Sequence, residues 1–242
     1  MSTIIIDPGH GGADPGGGTN QYWKEKDLVL QISQYQERRF KELGISVSLT
    51  RATDITLTSG QRTNLVKASG AKYCISNHIN AGGGEGAETI YSIYGDGKLA
   101  NGILDAIAAA GQKKRRVFTR TLPSNPSKDY YFMHRETGNV QTVIVEYGFA
   151  DNANDTQRLL EHWQEYAEAV VKAFCQHIGH PYKAPQKEKT ALEKALDVFI
   201  QEGITTTPDY WLQNAVPGEV VKGEYAAIMI EKAAARINQL RK

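Results

Sequence analysis

Thr3-Ile4-Ile5-Ile6-Asp7-Pro8-Gly9-His10-Gly11-Gly12 decides how this chain folds. Its first four residues are all β-branched. An apolar run without alternation reads as a strand buried on both faces, as in parallel sheets. The proline and glycines behind it end the strand and leave His10 on a loop at its carboxyl end. The arrangement recurs twice: residues 73–75 precede Ser76-Asn77-His78-Ile79-Asn80, and residues 143–145 precede Glu146-Tyr147-Gly148-Phe149. In an open α/β sheet the residues just past the carboxyl ends of parallel strands line one crevice. His10, His78 and Glu146 are therefore expected side by side.

Working outward, the periodicity changes between these runs. Leu28, Ile32, Tyr35, Phe40 and Leu43 recur at helical spacing, which puts Glu25 of Glu25-Lys26-Asp27-Leu28 on or just before a first turn. Further strands are expected at 47–49 and 88–93, and helices at 57–69, 99–110 and 155–177. Between the strands at 88–93 and 142–146 a single helix is expected. This alternation predicts an α/β fold, a mostly parallel twisted sheet covered by helices. Residues 180–190, with Pro181, Pro185 and a cluster of charges, read as a linker. Beyond them Leu192, Ala195, Leu196, Phe199 and Ile200, then Thr207-Pro208-Asp209, then Tyr225, Ile228, Met229, Ala233 and Ile237 predict a small all-α C-terminal domain. The domains are thus 1–179 and 191–242. About 50 residues form a marginal core, so the second is expected to dock on the first or to self-associate.

Two imidazoles and two carboxylates are the inventory of a catalytic zinc site. Hydrolytic zinc commonly takes three ligands from His and Glu or Asp and keeps a fourth position open. His10, Glu25 and His78 meet that count. Glu146 is then left to carry a proton to a leaving amine. Gly9, Gly11 and Gly12 would let the backbone approach the metal closely. The loop lacks the Gly-x-Gly-x-x-Gly order of a dinucleotide site.

Composition excludes other classes. The 242 residues are 40% hydrophobic and 23% charged, with a formal net charge of +1, which gives no footprint for nucleic acid. No apolar run approaches a membrane span, and Met1 leads straight into a strand without a leader, so membrane insertion is not expected. Cys74 and Cys175 read as small buried hydrophobes.

The four ordered segments resemble the zinc-dependent N-acetylmuramoyl-L-alanine amidases of bacterial cell walls and phage endolysins, the amidase type 3 family, over about residues 3–178. The resemblance implies one Zn2+ per catalytic domain held by His10, Glu25 and His78, catalysis by Glu146, and bacterial peptidoglycan as partner. It implies hydrolysis of the amide between N-acetylmuramic acid and the stem peptide's L-alanine. The alternatives are a zinc peptidase cutting within the stem and a non-catalytic wall-binding protein. Two positions depart from the family, Asn77 and Ile79, where Ile and Ala are more usual. The family has an asparagine matching Asn80 and often a glutamate matching Glu88, so both are candidate substrate-binding residues, although Glu88 reads equally as a strand-edge surface acid. Lys113-Lys114-Arg115-Arg116 reads as a solvated basic surface, and Tyr130, Tyr131 and Phe132 as groove rim or packing. Residues 191–242 take the place of a wall-binding module. Without a leader, the chain is expected to be made in the cytoplasm and to act at the wall after release, as a phage lysin or lysis enzyme does.

Overall fold

The computed structural model describes residues 3–185 and 191–240. Along the chain these form β1 (Ile4–Pro8), α1 (Glu25–Glu42), β2 (Val47–Leu49), α2 (Ser59–Ala68), β3 (Tyr73–Asn80), β4 (Ala87–Tyr91), α3 (Lys98–Ala109), β5 (Lys114–Phe118), β6 (Thr121–Leu122), β7 (Asn125–Asp129), α4 (Phe132–Arg135), β8 (Gln141–Phe149) and α5 (Ala153–His177), followed by α6 (Ala191–Gln201), α7 (Pro208–Asn214) and α8 (Gly223–Leu240). The segment expected to hold one helix thus also holds β5, the β6–β7 hairpin and α4. The polar, charged sequence of these additions hides the alternation by which strands are recognised.

Six strands form one sheet in the order β2-β1-β3-β8-β4-β5. β2, β1, β3 and β8 run parallel, β4 pairs antiparallel with β8, and β5 runs parallel to β4. The reversal follows from chain length: the 81–86 connection is too short for a crossover, which needs a dozen or more residues. β8, last in sequence, therefore inserts at the centre, between β3 and β4.

The two faces are covered unequally. On one, Ile4, Ile6, Ile75, Val143 and Val145 pack with Val29, Ile32 and Phe40 of α1, Leu99 and Ile103 of α3, and Val170 and Phe174 of α5. On the other, Ile5, Cys74, Ile90 and Ile144 cluster with Val66 of α2, Met133 of α4 and Ala71, with Phe118, Tyr131, Phe132 and Val140 only partly buried against them. Both cysteines are buried and unbridged. The thick face also buries a polar ring. Asn77 Nδ2 donates to Gln36 Oε1 (2.8 Å), Gln36 Nε2 to Tyr147 Oη (2.8 Å), and Tyr147 Oη back to Asn77 Oδ1 (2.9 Å). The buried Asn77 amide is thereby satisfied.

By contacts the chain divides into Met1–Ala184 and Pro185–Lys242, inside the segment expected as a linker, of which residues 186–190 lie outside the described part. In the second unit Leu196, Ile204 and Trp211 are the buried apolar side chains, and no residue of α8 is buried. Tyr225, Ile228 and Ile237, expected on a buried stripe, are exposed, because three short helices have too little chain to cover both sides of one another. Among the described residues no helix is long and apolar enough to cross a membrane.

Candidate active site

His10 follows β1 with φ 57°, alone among the described non-glycine residues in having a positive φ. That conformation costs a side-chain-bearing residue roughly 1 kcal/mol, and two buried arginines hold it. Arg62 of α2 donates to the carbonyls of Pro8 (2.7 Å) and His10 (2.7 Å). Arg51 donates to those of Pro8 (3.1 Å), Gly9 (2.8 Å) and Lys26 (2.8 Å). Arg62 rests on the buried Asp7 carboxylate (2.5 Å), which also accepts from the Thr50 (2.6 Å) and Ser76 (2.7 Å) hydroxyls. Burial alone would raise the Asp7 carboxyl, but the Arg62 charge and these donors bring it below the usual carboxylate range. Asp7 stays an anion and anchors the whole loop.

Glu25, the first residue of α1, reaches across the strand ends. Its Oε1 lies 3.0 Å from Nδ1 of His78 and 3.2 Å from Nε2 of His10, and accepts the Ile79 N–H (3.0 Å). Its Oε2 accepts the Gly18 N–H (2.7 Å). One ligand atom each from His10, Glu25 and His78 lies within 4.8 Å of the others. His10 Nδ1 pairs with Asp14 Oδ2 (2.7 Å), which turns Nε2 toward the cluster in the manner of the carboxylate partners of metal-ligating histidines. Burial would lower the His10 pKa, yet Glu25 and Asp14 raise it to about 9. His78 is raised too, by Glu25 and Glu146 against its burial. Burial would raise Glu25, but the two imidazoles hold it far below its ordinary range. Such a cluster gathers positive charge, and a divalent cation can replace its protons. Two imidazoles and a carboxylate fit zinc.

Glu146 is the register partner of His78 across β3 and β8. The strand expected at 73–75 stops short of His78 and the one expected at 142–146 ends on Glu146; the observed strands run on past both, because pairing continues to Asn80 and Phe149. Glu146 therefore stands on a rigid element, on the sheet face that His78 uses. Its Oε2 is buried with no hydrogen-bond partner among the described residues. Burial raises its pKa to about 7, with His78 opposing. A cavity of about 320 Å³ opens over His10, His78 and Glu146, walled by Leu57, Tyr131, Phe132 and Met133. Tyr131 and Phe132 thus line the groove, while Tyr130 stands under the Arg120 guanidinium, 3.8 Å from its ring centre. A larger hollow of about 1290 Å³, around Asp96, Lys128 and His134, contains none of these four residues.

Three readings of the sequence change. Glu88 is no surface acid: it is 1% exposed and is the register partner of Glu146 across β4 and β8. Arg115 and Arg116 are not simply solvated, since both pair with Glu88 Oε1, while Asn80 Nδ2 donates to Oε2 (3.0 Å). Gly11 and Gly12 lie against Ile55 and Thr56 rather than the cluster; it is Gly9 that adjoins His78, and a β-carbon there would collide with the imidazole. Asp14, Arg51 and Arg62 carry no sequence signal beyond the four-residue spacing of Asp14 from His10, because their partners come from other elements.

Residues 4–178 match the N-acetylmuramoyl-L-alanine amidase family. The chain is 34% identical over 168 residues to the N-acetylmuramoyl-L-alanine amidase CwlM of Bacillus licheniformis, covering 66% of this chain and 61% of that protein. It is 30% identical over 175 residues to the sporulation-specific N-acetylmuramoyl-L-alanine amidase of Bacillus subtilis, covering 66% and 60%. The chain thus spans about three fifths of the length of these relatives. Among solved structures, the catalytic domain of CwlV, an N-acetylmuramoyl-L-alanine amidase from Bacillus (Paenibacillus) polymyxa var. colistinus, superposes with a TM-score of 0.65 at 26% identity, covering 75% of this chain and 100% of that one. Cwp6 from Clostridium difficile gives 0.67 at 30%, covering 72% and 29%. Since the family match opens on the first residue of β1 and closes one residue past α5, the whole sheet lies within it, and the chain belongs to the N-acetylmuramoyl-L-alanine amidase family.

Proposed function

We propose that this chain hydrolyses the amide between N-acetylmuramic acid and the L-alanine of the stem peptide in bacterial peptidoglycan, with one zinc ion held by His10, Glu25 and His78. The family is generally zinc-dependent, and the His-Glu-His cluster supports the same reading here. When bound, zinc supplies Lewis acidity and brings the acidity of water near neutral pH. The observation that carries the reading is Glu146, whose buried Oε2 has no partner among the described residues and faces the histidine cavity. At a pKa near 7 the carboxylate takes a proton from the attacking water at Oε2 and returns it to the leaving amine nitrogen. The Asp7–Arg62–Arg51 group keeps the His10 loop in place during this exchange. Asn80 on β3 and Glu88 on β4, the strands either side of β8, serve on this reading as substrate-side residues. Residues 191–242 serve on this reading as a wall-binding module, with self-association as the alternative; sedimentation of the full chain beside a pull-down on intact walls distinguishes the two.

The test is digestion of purified peptidoglycan with end-group analysis, with and without a strong chelator. New N-terminal L-alanine without new reducing ends, abolished by chelation and restored by zinc, is the expected result. Other amino termini would assign a peptidase, and no release would leave wall binding alone.

A further inference from the structure

The site lies along one register line of the sheet. His78 on β3 pairs with Glu146 on β8, Glu146 with Glu88 on β4, and Glu88 with Arg116 on β5. Directly opposed residues share a face, so the line runs from imidazole to carboxylate to carboxylate to guanidinium. At its far end the register slips: Ala87 pairs with Lys114 but Glu88 with Arg116, leaving Arg115 as the extra residue of a bulge. Bulges re-aim side chains. Here the bulge lets two consecutive arginines reach one acid, which an unbroken strand would send to opposite faces.

The charge count does not close at Glu88. One carboxylate faces two guanidinium groups through a single oxygen, the other oxygen being taken by Asn80. No other acidic side chain among the described residues pairs with Arg115 or Arg116. Each guanidinium has five N–H donors, and these two use only Nη1 of Arg115 and Nε of Arg116 on Glu88. Their planes are steadied by aromatic rings, Arg115 over Phe149 (5.1 Å) and Arg116 over Phe118 (4.2 Å). Both side chains stay partly open to solvent, at 35% and 54%. An excess cation with oriented, unused donors, fixed beside the proton carrier, has the form of a carboxylate receptor.

We propose that Arg115 and Arg116 form a subsite for a carboxylate of the stem peptide, selecting substrates in which the residue after L-alanine carries a free acid. This rests on the amidase reading above. In the stem that residue is a γ-linked glutamate, whose α-carboxyl is free in some walls and amidated in others. Its carboxylate lies roughly two extended residues, about 7 Å, from the scissile nitrogen. That matches the one to two strand spacings, about 5 to 10 Å, between Glu146 on β8 and β4 or β5.

The experiment uses the full chain loaded with zinc and two soluble substrates, N-acetylmuramoyl-L-alanyl-D-isoglutamic acid and its isoglutamine counterpart. The wild type is expected to favour the free acid by about tenfold to a hundredfold in kcat/KM, the worth of a charge-assisted hydrogen bond. Arg116→Gln should collapse that ratio toward one, mainly through KM for the acid, and Arg116→Lys should restore part of it. Should Arg115→Gln fail to fold, the Arg116 pair still decides the matter, because a purely structural arginine would not change acid-against-amide discrimination. Equal cleavage of both substrates by the wild type, or a ratio unaltered in Arg116→Gln, overturns the subsite. Cleavage of neither substrate overturns the amidase reading and the subsite with it.

Discussion

Glu146 and Gly9 set opposite requirements beside the same imidazole, one chemical and one steric. Glu146→Gln keeps size and neutral hydrogen bonding but cannot carry a proton; it should bind zinc normally and lose about a hundredfold to ten-thousandfold in kcat, read by zinc content and muropeptide hydrolysis on one preparation. Normal turnover would remove Glu146 from the mechanism. Gly9→Ala puts a methyl group where the His78 ring lies. Zinc affinity is expected to fall at least about tenfold while the circular dichroism spectrum stays native, as metal titration would show. At this scale the sequence discloses residues whose type alone suggests chemistry. His10, His78 and Glu146 stand out because imidazoles and acids after apolar strands are rarely placed for packing, and Glu25 because it opens the helix that follows the first of them. Asp14, Arg51 and Arg62 do not, because an arginine that holds a carbonyl is indistinguishable in sequence from one in solvent. Glu88 shows the same limit: only the fold brings two arginines to it.

Among the elements, β3 and β8 present chemistry on one face and the Asn77–Gln36–Tyr147 ring on the other, one residue apart. The ring ties both strands to α1, whose first residue is Glu25, so it fixes the register on which the site depends. Asn77→Leu should destabilise the fold by about 1–3 kcal/mol, since Gln36 and Tyr147 are left with buried unpaired groups. The triple change Asn77→Leu, Gln36→Leu, Tyr147→Phe should recover most of that, as removing all partners together leaves no polar group stranded. Denaturant midpoints measure both, and equal losses in the single and triple variants would show that packing, not pairing, is what the ring supplies. Strands and helices with apolar periodicity were legible: β1, β2, β3, α1 and α5 are expected close to where they lie. β5, β6, β7 and α4 were not, because Lys114-Arg115-Arg116 and Asn125-Pro126-Ser127-Lys128-Asp129 carry no apolar pattern, and an edge strand needs none.

For the molecule as a whole, acid sensitivity has a source outside the site. His134 is buried, its Nε2 without a partner among the described residues. Burial lowers its pKa from 6.5 to about 4, with Asp129 opposing. The unfolded chain takes up this proton below pH 6.5 and the folded one only below about 4, so stability falls as pH falls through that interval. The total is roughly 3 kcal/mol. His134→Gln should flatten the decline between pH 6.5 and 4, as thermal midpoints on a pH series would show; an equally steep decline in the variant would place the sensitivity elsewhere. The central position of β8 has a further consequence, in the order of synthesis. His10 just after β1, Glu25 at the start of α1 and His78 on β3, the ligands of the proposed site, all fall within the first third of the chain, whereas Glu146 comes on β8, the last strand, which lies between β3 and β4. On the proposed reading, a chain that stopped short of β8 would hold all three candidate ligands and lack the proton carrier, so an incomplete product of translation would leave a cell wall uncut.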